Sequence, residues 1–318
     1  MQVITQIKIA KTNPKLVKVA FVCAIIVCLS TFVSSPIALI GGFLFSYFLG
    51  HPFLHLNHKA VSWLLKIAVM GLGFGMSIQG ALNAGKEGFA LTVFSIFFTL
   101  LIGFLIGFLL KISKKTSLLI SSGTAICGGS AIAAISPVIN ASEKDIAVAL
   151  GVVFLLNSIA LLVFPSIGHL FNLTEHQFGL WSAIAIHDTS SVVGAAHAYG
   201  DEALKVATTV KLARALWIIP VSILSIFLFK GNGNSIKIPW FIFLFIGVII
   251  LNSYFHLPEL ITSSITGISK SILVLTLFLI GAGLSIDKIK TAGWKPMILG
   301  VSLWGLISII SLFIIIMM

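Results

Sequence analysis

The chain has 318 residues, of which 58% are hydrophobic and only 9% are charged, whereas about 25% of the residues of an ordinary soluble domain are charged. So few charges exclude a soluble globular protein. The apolar residues gather into runs of about 20, the length that spans a bilayer, with room for about ten or eleven runs and for no separate cytosolic module. The composition predicts an all-α polytopic membrane protein, a single integral membrane domain over residues 1–318.

The net charge is +11, which on a soluble chain would suggest nucleic acid. On a membrane protein it is better explained by positive-inside topology and by the anionic lipid surface, so the expected partner is the lipid bilayer and not nucleic acid. The three cysteines, Cys23, Cys28 and Cys127, lie in apolar or small-residue stretches without the spacing of metal ligands. Neither disulfides, nor a metal site, nor a cofactor is expected.

Eleven membrane-spanning segments are predicted in chain order, after a basic segment at residues 1–16 that is expected to be cytoplasmic. They are 19–33, 37–49, 60–78, 89–110, 117–139, 146–167, 176–198, 203–229, 239–255, 261–284 and 296–318. Two of them are interrupted, 117–139 by the small residues of 123–130 and 176–198 by the polar residues of 187–191. Each of these two is interpreted as a discontinuous transmembrane helix.

The lysines and the arginine predict how these segments are oriented. With the N-terminus in the cytoplasm and all eleven segments crossing, only Lys86, Lys144 and Lys205 fall in outside loops. Four of the 20 cations lie within spans, and the other thirteen are inside. Because Lys and Arg accumulate on the cytoplasmic side, the N-terminus is expected inside and the C-terminus outside.

A weak internal repeat relates residues 36–110 to residues 239–318. Shifting the third span by 208 residues onto the tenth aligns Gly73 with Gly281 and Gly75 with Gly283. The two spans run in opposite directions, and an inverted repeat of this kind is typical of secondary transporters. The two interrupted segments run parallel on this count, so either the repeat is partial or the topology around residues 140–205 differs.

The two interruptions are the candidate binding site. Each is predicted to start a half-helix near the membrane centre, where unpaired N–H groups and the positive dipole end favour an anion. The alternative is a kink whose hydroxyls bond back to their own helix. The candidate substrate-binding residues are Thr124, Cys127, Gly128, Gly129, Ser130, Thr189, Ser190, Ser191, Lys211 and Arg214.

Charged residues within spans are few, and they are usually functional. Lys211 and Arg214 are three residues apart and share one helix face, where they could attract an anion and pair with Asp188. Lys66 and Lys270 are explained by snorkelling to the interface.

Asp188, beside His187, is the only acid within a span and could couple transport to protons or sodium. Alternatively, Asp188 caps the following half-helix. No strained nucleophile motif is present, so no enzyme is expected.

Three segments carry a resemblance to a known family: GTAICGGSAIAA at 123–134, AIHDTSSVVGAA at 185–196 and KLARALWIIP at 211–220. The sequence resembles the YeiH-type sulfate exporter family of bacterial inner-membrane proteins over nearly the whole chain. The resemblance implies kinship with the cation-proton antiporter and bile-acid transporter superfamily. It also implies a panel domain, a core domain with discontinuous helices, a location in the bacterial cytoplasmic membrane and a homodimer formed through panel helices.

The function expected from the residues and the resemblance together is that of a secondary transporter. It would export a small inorganic or sulfur-containing anion such as sulfate, with His187 and Asp188 coupling transport to protons or sodium. One alternative is a cation/proton antiporter in which Asp188 is the ion ligand. A channel or a non-transporting membrane sensor is a third class.

Overall fold

The structure is a computed structural model that describes residues 14–30, 33–229, 240–255, 257–283 and 293–317, and this part is helical without strands. The helices are α1 (Pro14–Leu29), α2 (Ser35–Leu49), α3 (Leu54–Leu72), α4 (Ile78–Leu109), α5 (Lys114–Ala125), α6 (Gly129–Val138), α7 (Glu143–Leu170), α8 (Glu175–Ala185), α9 (Thr189–Tyr199), α10 (Asp201–Ala215), α11 (Ile218–Phe229), α12 (Phe241–Phe255), α13 (Glu259–Gly283) and α14 (Trp294–Met317). Most of the predicted segment 1–16 and the repeat residues 284–292 lie outside the described residues.

Five helical segments are long and apolar enough to cross a membrane: α4, α7, α10 together with α11, α13 and α14. Their mean hydropathy over 18 residues lies between 1.9 and 2.7. Helices α6 and α12 and most of α2 are apolar but shorter. The prediction of an all-α membrane protein is confirmed at this level, whereas the count of eleven crossings is not.

Local sequence explains where several helices begin and end. Ser142 and Asp145 form a reciprocal capping box at the start of α7, and Thr174 and Gln177 form another at the start of α8. Pro220 has no N–H to bond the carbonyl of Leu216, so that carbonyl accepts from Ile219 at 3.1 Å instead. The span predicted at 203–229 is consequently interrupted between α10 and α11.

One group of helices, α1, α2, α3, α12 and α13, forms what we call the first bundle. Its centre is α13, which packs against α2 and α3 at backbone distance. A Cβ atom placed on Gly281 would lie 2.0 Å from the carbonyl oxygen of Leu39, and one placed on Gly42 would lie 2.0 Å from that of Phe278. Only glycine permits this approach of α2 and α13.

The remaining helices, α4 to α11 and α14, form the second bundle. Helix α10 packs against α4, α8 and α9, and α14 covers α4, α5, α7 and α8. Buried Trp181 stacks on Phe164 with ring centroids 4.3 Å apart and donates to the carbonyl of Ser308 at 2.9 Å. The two bundles meet where α2 and α13 contact α9 and where α12 contacts α4.

The two interrupted segments fold back on themselves and do not run straight through. Lys115 Nζ donates to the carbonyl of Asn140 at 2.6 Å, and Tyr199 Oη donates to the carbonyl of Leu173 at 2.6 Å. In straight helices the two residues of each pair would lie about 37 Å and about 39 Å apart. We call α5 with α6 the first hairpin and α8 with α9 the second hairpin; their turns are the tips, and their open ends are the bases.

The bases of the hairpins lie at opposite ends of α4. The C-terminal end of α4 leads directly into α5, whereas His176 at the start of α8 lies 2.6 Å from Glu87 near the other end. The rise of a helix separates Glu87 from Leu109 by about 33 Å, close to the thickness of a hydrocarbon core. The predicted discontinuous crossings at 117–139 and 176–198 are therefore wrong. Hydropathy measures how apolar a segment is and cannot distinguish a hairpin from a span of equal length.

Candidate functional site

The tips of the two hairpins are in contact. Helix α5 ends at Ala125 and α6 starts at Gly129, while α8 ends at Ala185 and α9 starts at Thr189. A Cβ atom on Gly128 would lie 3.2 Å from the Cα atom of Asp188. Gly128 also has φ 62° and ψ −126°, which disfavours any other residue. The predicted half-helix starts are confirmed, and the structure brings them together.

Lys211 and Arg214 are completely buried on one face of α10, at the level of the tips. Arg214 is the only arginine of the chain. Its Nε donates to the carbonyl of Ala125 at 2.6 Å and its Nη1 to that of Ile184 at 2.7 Å, while Lys211 Nζ donates to Ile186 at 2.7 Å. These carbonyls belong to the C-terminal ends of α5 and α8, which carry partial negative charge. The two cations thus tie the incoming helices of both hairpins to α10.

The predicted ion pair with Asp188 is not formed within the described residues, since neither Lys211 nor Arg214 comes within 4.0 Å of that carboxylate. Asp188 instead caps α9: its carboxylate accepts from the backbone N–H of Ser191 at 3.3 Å and from the hydroxyl of Ser190. The capping interpretation is therefore the one that the structure supports. A cap does not prevent the same carboxylate from also binding a proton or a cation.

Asn157 in α7 supports the second tip and was not identified from the sequence. Its Oδ1 accepts from the backbone N–H of His187 at 3.0 Å and from that of Asp188 at 3.2 Å. The signal that could have revealed it was a lone asparagine in the middle of the apolar span 146–167. Because Asn157 lies outside both tips along the chain, only the tertiary structure shows its partners.

Several buried polar atoms near the tips have no hydrogen-bond partner among the described residues. They are Thr124 Oγ1, Asn157 Nδ2, Arg214 Nη2 and both ring nitrogens of His187. Buried polar groups are nearly always paired with protein or with ordered water. This cluster therefore marks a place that water or a polar ligand can occupy.

The tips differ in how accessible their helix starts are. Ser130 is exposed and Gly129 is half-buried, and no side chain caps α6. By contrast, Thr189, Ser190 and Ser191 are buried, and Asp188 occupies the start of α9. Cys127 is also buried in the turn of the first tip. Of the two predicted anion-binding helix starts, only that of α6 is free.

Comparison with known proteins places the chain in a family. A family described as "Conserved hypothetical protein 698" matches residues 57–300, which include both hairpins and α10. The chain belongs to this family. Its resemblance to the YeiH-type proteins fits this assignment, whereas kinship with the antiporter superfamily is not shown.

Three relatives are each named "UPF0324 membrane protein". The protein of Bacteroides thetaiotaomicron is 54% identical over 89% of this chain and 86% of its own length. Those of Shewanella oneidensis and Porphyromonas gingivalis are 48% and 46% identical, covering 93% and 89% of this chain and 93% and 87% of their own lengths. No solved structure matches the chain. The relatives support a bacterial membrane protein, and their names state no activity.

Proposed function

We propose that the protein is a secondary transporter that exports a small anion of the sulfate type across the bacterial cytoplasmic membrane. The observation that carries the proposal is the meeting of two oppositely inserted hairpins beside two buried cations. Broken backbone at membrane depth is tolerated only where it faces protein or a water-filled cavity. The hairpin tips, with their unpaired polar atoms, are the proposed substrate site.

The charge at the tips favours an anion. The negative C-terminal ends of α5 and α8 and the positive N-terminal ends of α6 and α9, each worth about half a charge, offset one another. Lys211 and Arg214 then outweigh Asp188 by one unit. The free start of α6 at Gly129 and Ser130 supplies the donors, and protonation of Asp188 would add the second unit of positive charge that a divalent anion needs. In this way, occupancy of Asp188 by a proton is coupled to occupancy by the anion.

The proposed topology has nine crossings, since neither hairpin crosses. The crossing elements are α1, α2, α3, α4, α7, α10 with α11, α12, α13 and α14. The start of α7, with Lys144, now lies inside, which leaves only Lys86 and Lys205 outside. The positive-inside bias is thus stronger than with eleven crossings, and the N-terminus remains inside and the C-terminus outside.

Alternating access would follow from movement of one bundle against the other. The first bundle corresponds to the implied panel and the second, with its hairpins, to the implied core; a homodimer through the panel belongs to the same proposal. With eleven crossings the two interrupted segments would run parallel, which an inverted repeat does not explain. Two hairpins that enter from opposite sides instead support an inverted organisation.

A cation/proton antiporter is the second candidate, and one observation favours it. Lys211 and Arg214 are already engaged by carbonyls, whereas the partly exposed carboxylate of Asp188 remains available at the tips. In this mechanism Asp188 would bind the transported cation and release it on protonation. The two cations would then be structural.

Flux measurements with purified protein in liposomes test these functions. We expect saturable movement of labelled sulfate that a pH or sodium gradient accelerates. Arg214→Gln should reduce it about tenfold or more, because a charge-assisted hydrogen bond is worth about 1.5–3 kcal/mol, and Asp188→Asn should abolish the effect of the gradient. Lys144→Gln, at an exposed position in the first turn of α7, is the control, and every variant must remain monodisperse.

Other outcomes select other functions. Sodium-for-proton exchange without sulfate movement would support the antiporter. Sulfate movement that ignores both gradients would indicate a channel. Absence of any flux would favour a membrane sensor.

A further inference from the structure

A cleft of about 490 Å³ lies between the two bundles, away from the hairpin tips. One wall is the first half of α10, with Lys205 and Thr208, and the other is α13, with Thr266 and Lys270. The 3₁₀ turn after α3 contributes Gly75 to the lining. The cleft thus lies on the surface along which one bundle would move against the other.

The wall of the cleft that α10 forms leads toward the proposed substrate site. Leu204, Thr208 and Lys211 are spaced by four and three residues, so they lie along one face of α10. Lys211 follows Thr208 by about 4.5 Å along the helix axis. The wall of the cleft therefore continues directly into the face that carries the buried cations.

Two hydroxyls beside the cleft lack partners. Thr208 is 1% exposed, and its Oγ1 is buried without a hydrogen-bond partner among the described residues. Across the cleft, the Oγ1 atom of Thr266 is also buried without a hydrogen-bond partner among the described residues. Because a buried hydroxyl normally finds a partner, this pair points to water or a polar solute within the cleft.

An ion pair crosses the cleft and joins the bundles. Lys270 Nζ of α13 lies 2.5 Å from Asp201 Oδ1 at the start of α10. Lys270 is about 16 Å along α13 from Glu259, whereas Asp201 is about 10 Å along α10 from Thr208. The pair therefore lies outward of Thr208 along α10, and 70% of the Asp201 side chain is exposed. Lys270 thus reaches an exposed acid in the first turn of α10, a contact that is compatible with the snorkelling expected from the sequence.

We propose that the cleft is an aqueous vestibule, open to the outside, through which a small anion passes between Lys211 and the external solution. That the vestibule opens to the outside and conducts an anion rests on the proposed function. Lys205, Lys270 and the threonine hydroxyls donate to the anion, and Lys270 exchanges the carboxylate of Asp201 for it. Glu259 and Asp201, the acidic residues that line the cleft, weaken the binding of the anion. The anion therefore passes through the vestibule and does not stay bound there.

Thiol labelling tests the vestibule without requiring transport. Thr208→Cys in a Cys23→Ser background is treated in right-side-out vesicles with impermeant methanethiosulfonates, one bearing a sulfonate and one a trimethylammonium group. We expect labelling, faster with the sulfonate, and slowed by added sulfate. Ser225→Cys is the matched control, since Ser225 is also 1% exposed, but its hydroxyl donates to the carbonyl of Val221 at 2.7 Å and it lies in α11 away from the cleft.

Charge variants sharpen the result. Lys270→Gln should slow the anionic reagent and speed the cationic one about fivefold each, the effect of one unit charge at about 4 Å in water, and so lower the ratio of their labelling rates about 25-fold. Asp201→Asn should raise this ratio. Thr266→Cys on the opposite wall should label like Thr208→Cys, which covers the case that the first variant fails to fold.

The contrary outcomes separate the two proposals. Labelling of both cysteines no faster than Ser225→Cys overturns the vestibule, even if sulfate flux is observed. Equal rates with the two reagents, or no slowing by sulfate, overturn the passage of an anion. Labelling as expected, together with liposomes that move no sulfate, overturns the proposed transport and leaves the vestibule standing.

Discussion

At the residue scale, single polar side chains hold the hairpin tips in place. The spacing of Lys211 and Arg214 predicted a shared face, and the structure confirms it. Their partners could not be predicted, because the carbonyls of Ala125, Ile184 and Ile186 come from two other helices. Each cation therefore has a structural role in addition to any binding of substrate, and Asn157 has a comparable role on the opposite side of the second tip.

Replacement of Asn157 tests this residue-scale argument. Asn157→Leu leaves the backbone N–H groups of His187 and Asp188 without their acceptor, so we expect a loss of about 1–3 kcal/mol of stability. Thermal unfolding in detergent measures it. Asn157→Asp keeps the acceptor and should unfold closer to the parent, whereas Asn83→Leu on the exposed surface should change stability by at most about 0.5 kcal/mol. Equal unfolding temperatures for Asn157→Leu and Asn83→Leu would contradict the role assigned to Asn157.

At the element scale, the sequence predicted where the hairpin helices break but not that the chain reverses there. The breaks after Ala125 and Ala185 were predicted from small and polar residues, and helices do restart at Gly129 and Thr189. Whether the chain then continues or reverses depends on the contacts at the bases, such as that of Lys115 with Asn140. Such contacts join residues far apart along the chain, and hydropathy does not report them.

Gly128→Ala tests whether stability and transport depend on the close contact between the two hairpin tips. An alanine at φ 62° is strained by about 1–3 kcal/mol, and its Cβ would press on Asp188. We expect lower thermal stability and loss of sulfate flux. Gly305→Ala is the control, because a Cβ there meets nothing within 4 Å and alanine is the better helix former by about 0.5–1 kcal/mol. An unchanged Gly128→Ala protein would refute the close contact.

At the scale of the whole molecule, the hairpins change which loops share a side of the membrane. The pair formed by Glu87 and His176 is impossible with eleven crossings, because that count places the two residues on opposite sides. With nine crossings it is expected. The two bundles, with the cleft between them, are the parts that the proposed alternating access would move against each other.

Site-directed labelling of loops tests the topology. Lys144→Cys should be labelled by an impermeant reagent from the same side as Lys114→Cys, and Phe171→Cys from the same side as Lys86→Cys. All four positions are exposed. Eleven crossings predict the reverse for both test positions, so the reference positions decide between the two topologies whichever side of the membrane they occupy.

The sequence by itself determined the class of the protein, the boundaries of most helices, the two breaks and the face shared by Lys211 and Arg214. These depend on composition, helical spacing and local caps, which act over a few residues. The tertiary structure decided that the broken segments reverse, that their tips meet at Gly128 and Asp188, and that Lys270 reaches Asp201. The physical reason is that direction and pairing depend on hydrogen bonds and packing between residues distant in sequence, and an apolar segment satisfies the bilayer equally well whether it crosses or returns.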